Sequence, residues 1–162
     1  MTKIANYDRE ILDFSPYHVE SLLFNLTDDS LEHYLTDAEY NNYYLADFND
    51  SEQLNFWLKK LVRKIQSTDK DYELIKRSLR QIISNKSAIP IDIYLPGIDS
   101  IEDNNQWSKN YEIFLHRLWR YLFDCNFVWQ PTSNYRERID AEFIDFPRVP
   151  EMWKEAQYAE NC

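Results

Sequence analysis

A single glycine, Gly97, serves the whole 162-residue chain. Loops that cradle phosphate with their backbone need positive φ angles and close main-chain approach, which excludes a P-loop or a dinucleotide-binding turn. Tight hairpins built on Asn-Gly or Asp-Gly are disfavoured for the same reason. Helix is the economical architecture that remains. Hydrophobic residues at 44% and aromatics at 16% are too abundant for a disordered chain, and the length suits one domain with its own core. The expectation is a mainly α bundle of six or seven helices spanning residues 1–162 as one domain. A short two-stranded β element is expected near 88–95 and 126–146.

Helix boundaries can be read from capping chemistry. Ser15 before Pro16 reads as an N-cap with proline at the first helical position, opening a helix to about Leu26. Asp28 or Asp29 caps a short helix through "SLEHYL". Thr36 and Glu39 form a T-x-x-E capping box for a helix ending near Phe48, and Asp50 with Gln53 does the same for "SEQLNFWLKKLVRKIQS". In that helix Leu54, Trp57, Leu58, Leu61, Val62 and Ile65 form one buried stripe, with Lys59, Lys60, Arg63 and Lys64 opposite. Thr68 or Asp69 starts the next helix, which buries Tyr72, Ile75, Leu79, Ile82 and Ile83 and carries Lys70, Arg77 and Arg80 outside. A connection of about three residues makes these two helices an antiparallel hairpin. "SAIPIDIYLPGI" reads as an extended segment confined by Pro90 and Pro96 to an edge or loop. Helix resumes near residue 104 with a core face of Trp107, Tyr111, Phe114, Leu115, Leu118 and Leu122. "NFVWQP" and "RIDAEFIDF" read as short strands, and Pro150 opens a last helix.

Charge is segregated. The net charge is −10, yet residues 1–50 carry −9, residues 51–90 carry +5 and residues 91–162 carry −6. No Lys or Arg occurs between Arg9 and Lys59. Such asymmetry speaks of partners rather than of fold, although acidic helices docking on basic ones within the monomer would also produce it. Within this run, "TDAEYNNYYLADFND" (36–50) sets four aromatics among four carboxylates. On a wheel of about 100° per residue, Ala38, Tyr44, Leu45 and Phe48 share the core side. Glu39, Tyr43 and Asp47 share the other, so Tyr43 is expected in water between two carboxylates. Tyrosine offers large contact area with few rotors to freeze, and flanking carboxylates suit a basic partner. Asp28, Asp29, Glu32, Glu39, Tyr43, Asp47 and Asp50 are the expected partner-binding residues.

Other chemistry is sparse. The cationic helix faces would suit phosphate, but a chain at −10 repels DNA and RNA. His116 with Glu112 and Arg120 at i−4 and i+4 resembles a general base with an orienting carboxylate, although an exposed charge row explains it as well. His18 and His33 lack a second ligand at metal spacing. Cys125 and Cys162 give no metal spacing and read as free thiols of a cytosolic protein. The N-terminal stretch has no signal-like apolar run, and no segment reaches the length of a membrane span. No catalytic residue, cofactor, metal, nucleic acid or membrane contact is expected.

The acidic, tyrosine-bearing stretch 28–50 and its lysine-free surroundings resemble the immunity proteins of bacterial contact-dependent growth inhibition and colicin systems. The resemblance implies a bacterial, cytoplasmic, non-catalytic protein that occludes a basic nuclease toxin by stoichiometric binding. Three other readings stay open: a DNA mimic that blocks a nucleic-acid enzyme, an adaptor or structural subunit, and an all-helical enzyme.

Overall fold

A computed structural model describes residues 11–137. The expected helix at Pro150, the distal half of the expected second strand region and Cys162 lie outside the described residues. The elements run β1 (Leu12–Phe14), α1 (Pro16–Leu23), a short 3-10 turn (Phe24–Leu26), α2 (Asp28–Tyr34), α3 (Asp37–Tyr44), α4 (Ser51–Leu61), α5 (Tyr72–Asn85), β2 (Ile101–Glu102), β3 (Gln106–Trp107), α6 (Lys109–Phe123) and β4 (Tyr135–Glu137). The described part is mainly helical, with six α-helices.

Most caps fall where the sequence puts them. Ser15 is the N-cap of α1 with proline next to it, although its amide is bound by Ser78 Oγ at 2.7 Å. Thr36 and Glu39 form both halves of the capping box that opens α3. Asp50 caps α4 by accepting from the Glu52 amide at 2.9 Å. Gln53 does not complete a box there, because it binds the Asp50 carboxylate and the Asp47 amide with its side chain.

Several helix bounds differ from expectation; α1 gives way to the 3-10 turn after Leu23, and α5 starts at Tyr72 rather than at Thr68 or Asp69. Helix α3 stops at Tyr44, short of Phe48. Helix α4 stops at Leu61 because Val62, β-branched, takes an extended conformation (φ −113°, ψ 119°). Val62 and Ile65 are still buried, but they reach the core from a ten-residue connection, 62–71, rather than from the helix. Asp69 organises that connection by accepting from the Gln66 amide at 2.8 Å. Helix α6 starts at Lys109, not near 104, since Ser108 accepts from the Tyr111 amide at 3.0 Å and defines the cap.

Helix α5 lies at the centre. Val19, Leu22 and Leu23 of α1 belong with Ile75, Leu79 and Ile82 of α5 and with Phe114, Leu115, Leu118 and Trp119 of α6 to one continuous apolar core. All residues from Leu74 to Arg80 are buried. This overturns the expectation that Arg77 and Arg80 occupy an outer face: each is 1% exposed. Strand β1 pairs in parallel with β4, Leu12 opposite Tyr135 and Phe14 opposite Glu137, and this ladder covers the helix on that side. Arg80 reaches the Tyr135 hydroxyl at 3.3 Å and lies 5.0 Å from the Trp119 ring centre. Buried Asp13 in β1 receives Arg136 of β4 at 3.1 Å.

The expected β element is therefore relocated. Residues 88–95 form no strand; that segment runs irregularly, and its Tyr94 amide donates to the Leu26 carbonyl at 3.0 Å. Strand β4 falls within 126–146 but pairs with the N-terminal β1. A second pair, β2 with β3, is an antiparallel hairpin. It turns through Asn104 and Asn105 at φ 74° and 57°, because asparagine tolerates the left-handed region that glycine usually supplies. Gly97 stands at φ +77°, where a Cβ would meet Asp47 Oδ1 at 2.8 Å. The one glycine thus occupies a position where the loop touches another segment. Cys125, expected as a free thiol, is not free.

Candidate functional site

The acidic stretch folds as two helices and a turn. Asp28 begins α2 and Tyr44 ends α3, and the Tyr44 hydroxyl donates to Asp28 Oδ1 at 2.7 Å. That bond ties the start of one helix to the end of the other, so the two run as a helical hairpin.

Tyr43 is not on the surface. Its exposure is 0%, and its hydroxyl donates to the Tyr94 carbonyl. The ring stands nearly perpendicular to Phe48 at 5.5 Å and to Trp57 at 5.2 Å, an edge-to-face arrangement suited to aromatic quadrupoles. Burial pushes its phenol well above the ordinary range, with Tyr44, Tyr94 and Asp28 adding to the effect. The expected helical phase was wrong because the wheel ran through Phe48. Leu45 caps the helix instead of continuing it and is 84% exposed, while Phe48 is buried by way of the following turn. Without those two residues the inner side of α3 centres on Tyr43, and Ala38 faces water.

The surface tyrosines are its neighbours. Tyr40 and Tyr44, one helical turn apart, are half-buried; their hydroxyls meet at 3.0 Å and their rings at 4.7 Å. Tyr94 packs on Tyr44 at 4.5 Å and remains 38% exposed. The hydrogen bond with Tyr40, followed by burial and the bond to Asp28, raises the Tyr44 phenol. Tyr40, Tyr44 and Tyr94 thus make a strip of rings ending at the Asp28 carboxylate.

The expected acids divide into two groups. Asp28, Asp29 and Glu32 are exposed on α2, and Asp28 and Glu32, four apart, share a helix face. Among the described residues, Asp29 and Glu32 have no ion-pair partner. The other three are engaged in holding the chain. Glu39 completes the capping box and pairs with Lys60. Asp47 Oδ1 accepts from the Asn49 amide at 3.0 Å beside Gly97. Asp50 caps α4, and the Glu52 amide, then the Gln53 side chain, hold its carboxyl below the usual range. The structure therefore brings Asp28, Asp29 and Glu32 to one end of a surface with Tyr40, Tyr44 and Tyr94, and places Glu39, Asp47 and Asp50 in capping and turn roles. Tyr40 and Tyr94 were missed: the i, i+4 spacing of Tyr40 and Tyr44 signals the first, whereas Tyr94 arrives by a tertiary contact that no local pattern records.

His116 and Arg120 are exposed on α6, with Glu112 half-buried one turn before His116. Among the described residues no helix is long and apolar enough to cross a membrane. The chain matches no protein-family model, no curated protein and no solved structure.

Proposed function

We propose that this chain is a non-catalytic protein-binding domain that occludes a basic partner, in the manner of immunity proteins that neutralise nuclease toxins. The observation that supports this reading is the surface formed by Asp28, Asp29 and Glu32 beside the half-exposed rings of Tyr40, Tyr44 and Tyr94. It lies within a run from Asp13 to Glu52 that holds ten acids and no Lys or Arg. Rigid aromatic surface supplies contact area at low entropic cost, and unpaired carboxylates accept charge-assisted bonds from lysine or arginine. A nuclease cleft made for phosphates offers those donors. Opposite potentials would also hasten encounter, with association approaching roughly 10⁸ M⁻¹s⁻¹ at low salt.

The test uses the full chain, immobilised, to capture a basic polypeptide from the native host, followed by nuclease assay of the captured protein with and without added chain. Stoichiometric loss of nuclease activity is expected. Asp29→Lys with Glu32→Lys should slow association, and Tyr94→Ala should speed dissociation by about tenfold, equivalent to about 1.4 kcal/mol. Capture that is indifferent to these changes and to salt would remove this face from consideration.

A further inference from the structure

Helix α6 carries a groove that the acidic surface does not use. It has a volume of about 460 Å³ and is lined by Lys109, Glu112, Ile113, His116, Arg117, Arg120, Asn126 and Phe127. The helical residues form two rows at spacing four: Lys109, Ile113 and Arg117 in one, Glu112, His116 and Arg120 in the other. Residues at this spacing are surface neighbours on a helix. Phe127 closes the second row, its ring edge-on to His116 at 5.2 Å.

The two arginines of the groove are held by hydrogen bonds. Arg117 Nη1 donates to the Phe48 carbonyl at 3.2 Å and to the Asn49 carbonyl at 2.8 Å. Arg120 Nη1 donates to Asn126 Oδ1 at 2.6 Å. None of these three bonds neutralises a guanidinium, and each arginine keeps further N–H groups of its five-donor fork. Among the described residues, Lys109, Arg117 and Arg120 form no ion pair. Three cations and a histidine therefore surround an apolar floor of Ile113 and Phe127, with Glu112 the one carboxylate in the lining.

We infer that this groove is a binding site for a small organic anion, a planar apolar body bearing a carboxylate, sulfonate or phosphate group. The body packs between Ile113 and Phe127, and the head group takes charge-assisted bonds from Arg117 and Arg120. The volume falls in the range of small-ligand sites, about 300–1,000 Å³. Size and charge together favour a small ligand over a macromolecule. A long acidic chain would meet the repulsion of a molecule at −10, whereas a small anion feels chiefly the field within a Debye length of about 8–10 Å. The inference is independent of the binding function proposed for α2 and α3.

The probe is anilinonaphthalene sulfonate, an aryl anion whose fluorescence rises in apolar surroundings, titrated into the full chain. Saturable one-to-one binding is expected, with amide shifts in a two-dimensional NMR spectrum confined to residues 109–120 and 126–127. Arg120→Glu and Lys109→Glu, both exposed, should each weaken binding by about tenfold or more. Ile113→Trp should abolish it by filling the floor while the circular dichroism spectrum stays unchanged. Phenylnaphthylamine, which has the same rings without the sulfonate, should bind at least about tenfold more weakly. Equal affinity for the neutral compound, unsaturable binding, or shifts elsewhere would overturn the inference. So would a phenylalanine-bearing glutamate peptide that competes at lower concentration than the sulfonate, since the occupant would then be a protein segment.

Discussion

Replacing Tyr43 separates a core ring from a docking ring. The side chain is fully buried and packs against Phe48, Trp57, Tyr44 and Tyr94. Truncating a buried aromatic residue to alanine costs about 3–5 kcal/mol, part from lost transfer energy and part from the cavity. That is a large share of the roughly 5–15 kcal/mol that separates a typical folded domain from its unfolded chain. Tyr43→Phe keeps the packing and removes only the hydroxyl, leaving the Tyr94 carbonyl without this donor, at a cost of about 1–2 kcal/mol. Urea unfolding followed by circular dichroism and tryptophan fluorescence measures both. With a urea slope of about 1–3 kcal/mol per molar, Tyr43→Ala should lower the midpoint by roughly 2 M. Tyr43→Phe should lower it by well under half as much and leave partner association unchanged. A loss below about 1 kcal/mol for Tyr43→Ala would refute the packing argument, because a cavity of that size cannot be that cheap. Loss of binding at full stability would place the ring back at an interface.

Two further perturbations address other parts of the fold. Gly97→Ala forces a Cβ into the left-handed region and against Asp47 Oδ1 at 2.8 Å, so the chain should lose about 1–3 kcal/mol in urea unfolding; a neutral result would show that the loop moves aside freely. Burial pushes the Tyr111 phenol up to about 12, against the lowering effect of a backbone hydrogen bond at Ile89. The unfolded phenol ionises near pH 10 while the folded one keeps its proton. The contribution is therefore complete below about pH 10 and is lost on rising to about pH 12, amounting to roughly 2–3 kcal/mol. Tyr111→Phe should flatten the fall in urea midpoint between about pH 10 and about pH 12, and an unchanged slope would count against Tyr111 as its source.

Local chemistry was legible where one residue decides it. Pro16, Thr36 and Asp50 mark helix starts because their side chains or missing amide act within one turn. The stripes of α4, α5 and α6 were legible for a related reason: Leu and Ile at helical spacing commit a face to the core. Helix α3 defeated the same reasoning. It contains little aliphatic side chain, so its inner face is chosen by what tyrosine can pack against, namely Phe48, Trp57 and Tyr94 from later segments. The β1–β4 ladder was invisible for a topological reason, since "LDF" and "YRE" pair across more than a hundred residues with no alternation to reveal them. The candidate surface follows suit. Asp28, Asp29 and Glu32 could be placed by helix spacing, whereas Tyr94 depends on the route of an irregular segment.

The cations of the middle section bear on what the charge asymmetry means. If acidic helices simply docked on basic ones, the carboxylates of residues 1–50 would be paired with the lysines and arginines of 51–90. Among the described residues one such pair exists, Glu39 with Lys60. Arg63 turns instead to Asp69 and Asp71, and Lys64 to Asp124. All are exposed pairs, worth about 0–1 kcal/mol each. Lys76, Arg77 and Arg80 are inside the fold, 1–3% exposed, where Lys76 lies 5.4 Å from the Phe123 ring centre and Arg80 lies over Trp119. Desolvation, with help from Arg80 and against Glu73, lowers the Lys76 ammonium to about 8. Three of the nine cations counted in residues 51–90 are thus withdrawn from solvent.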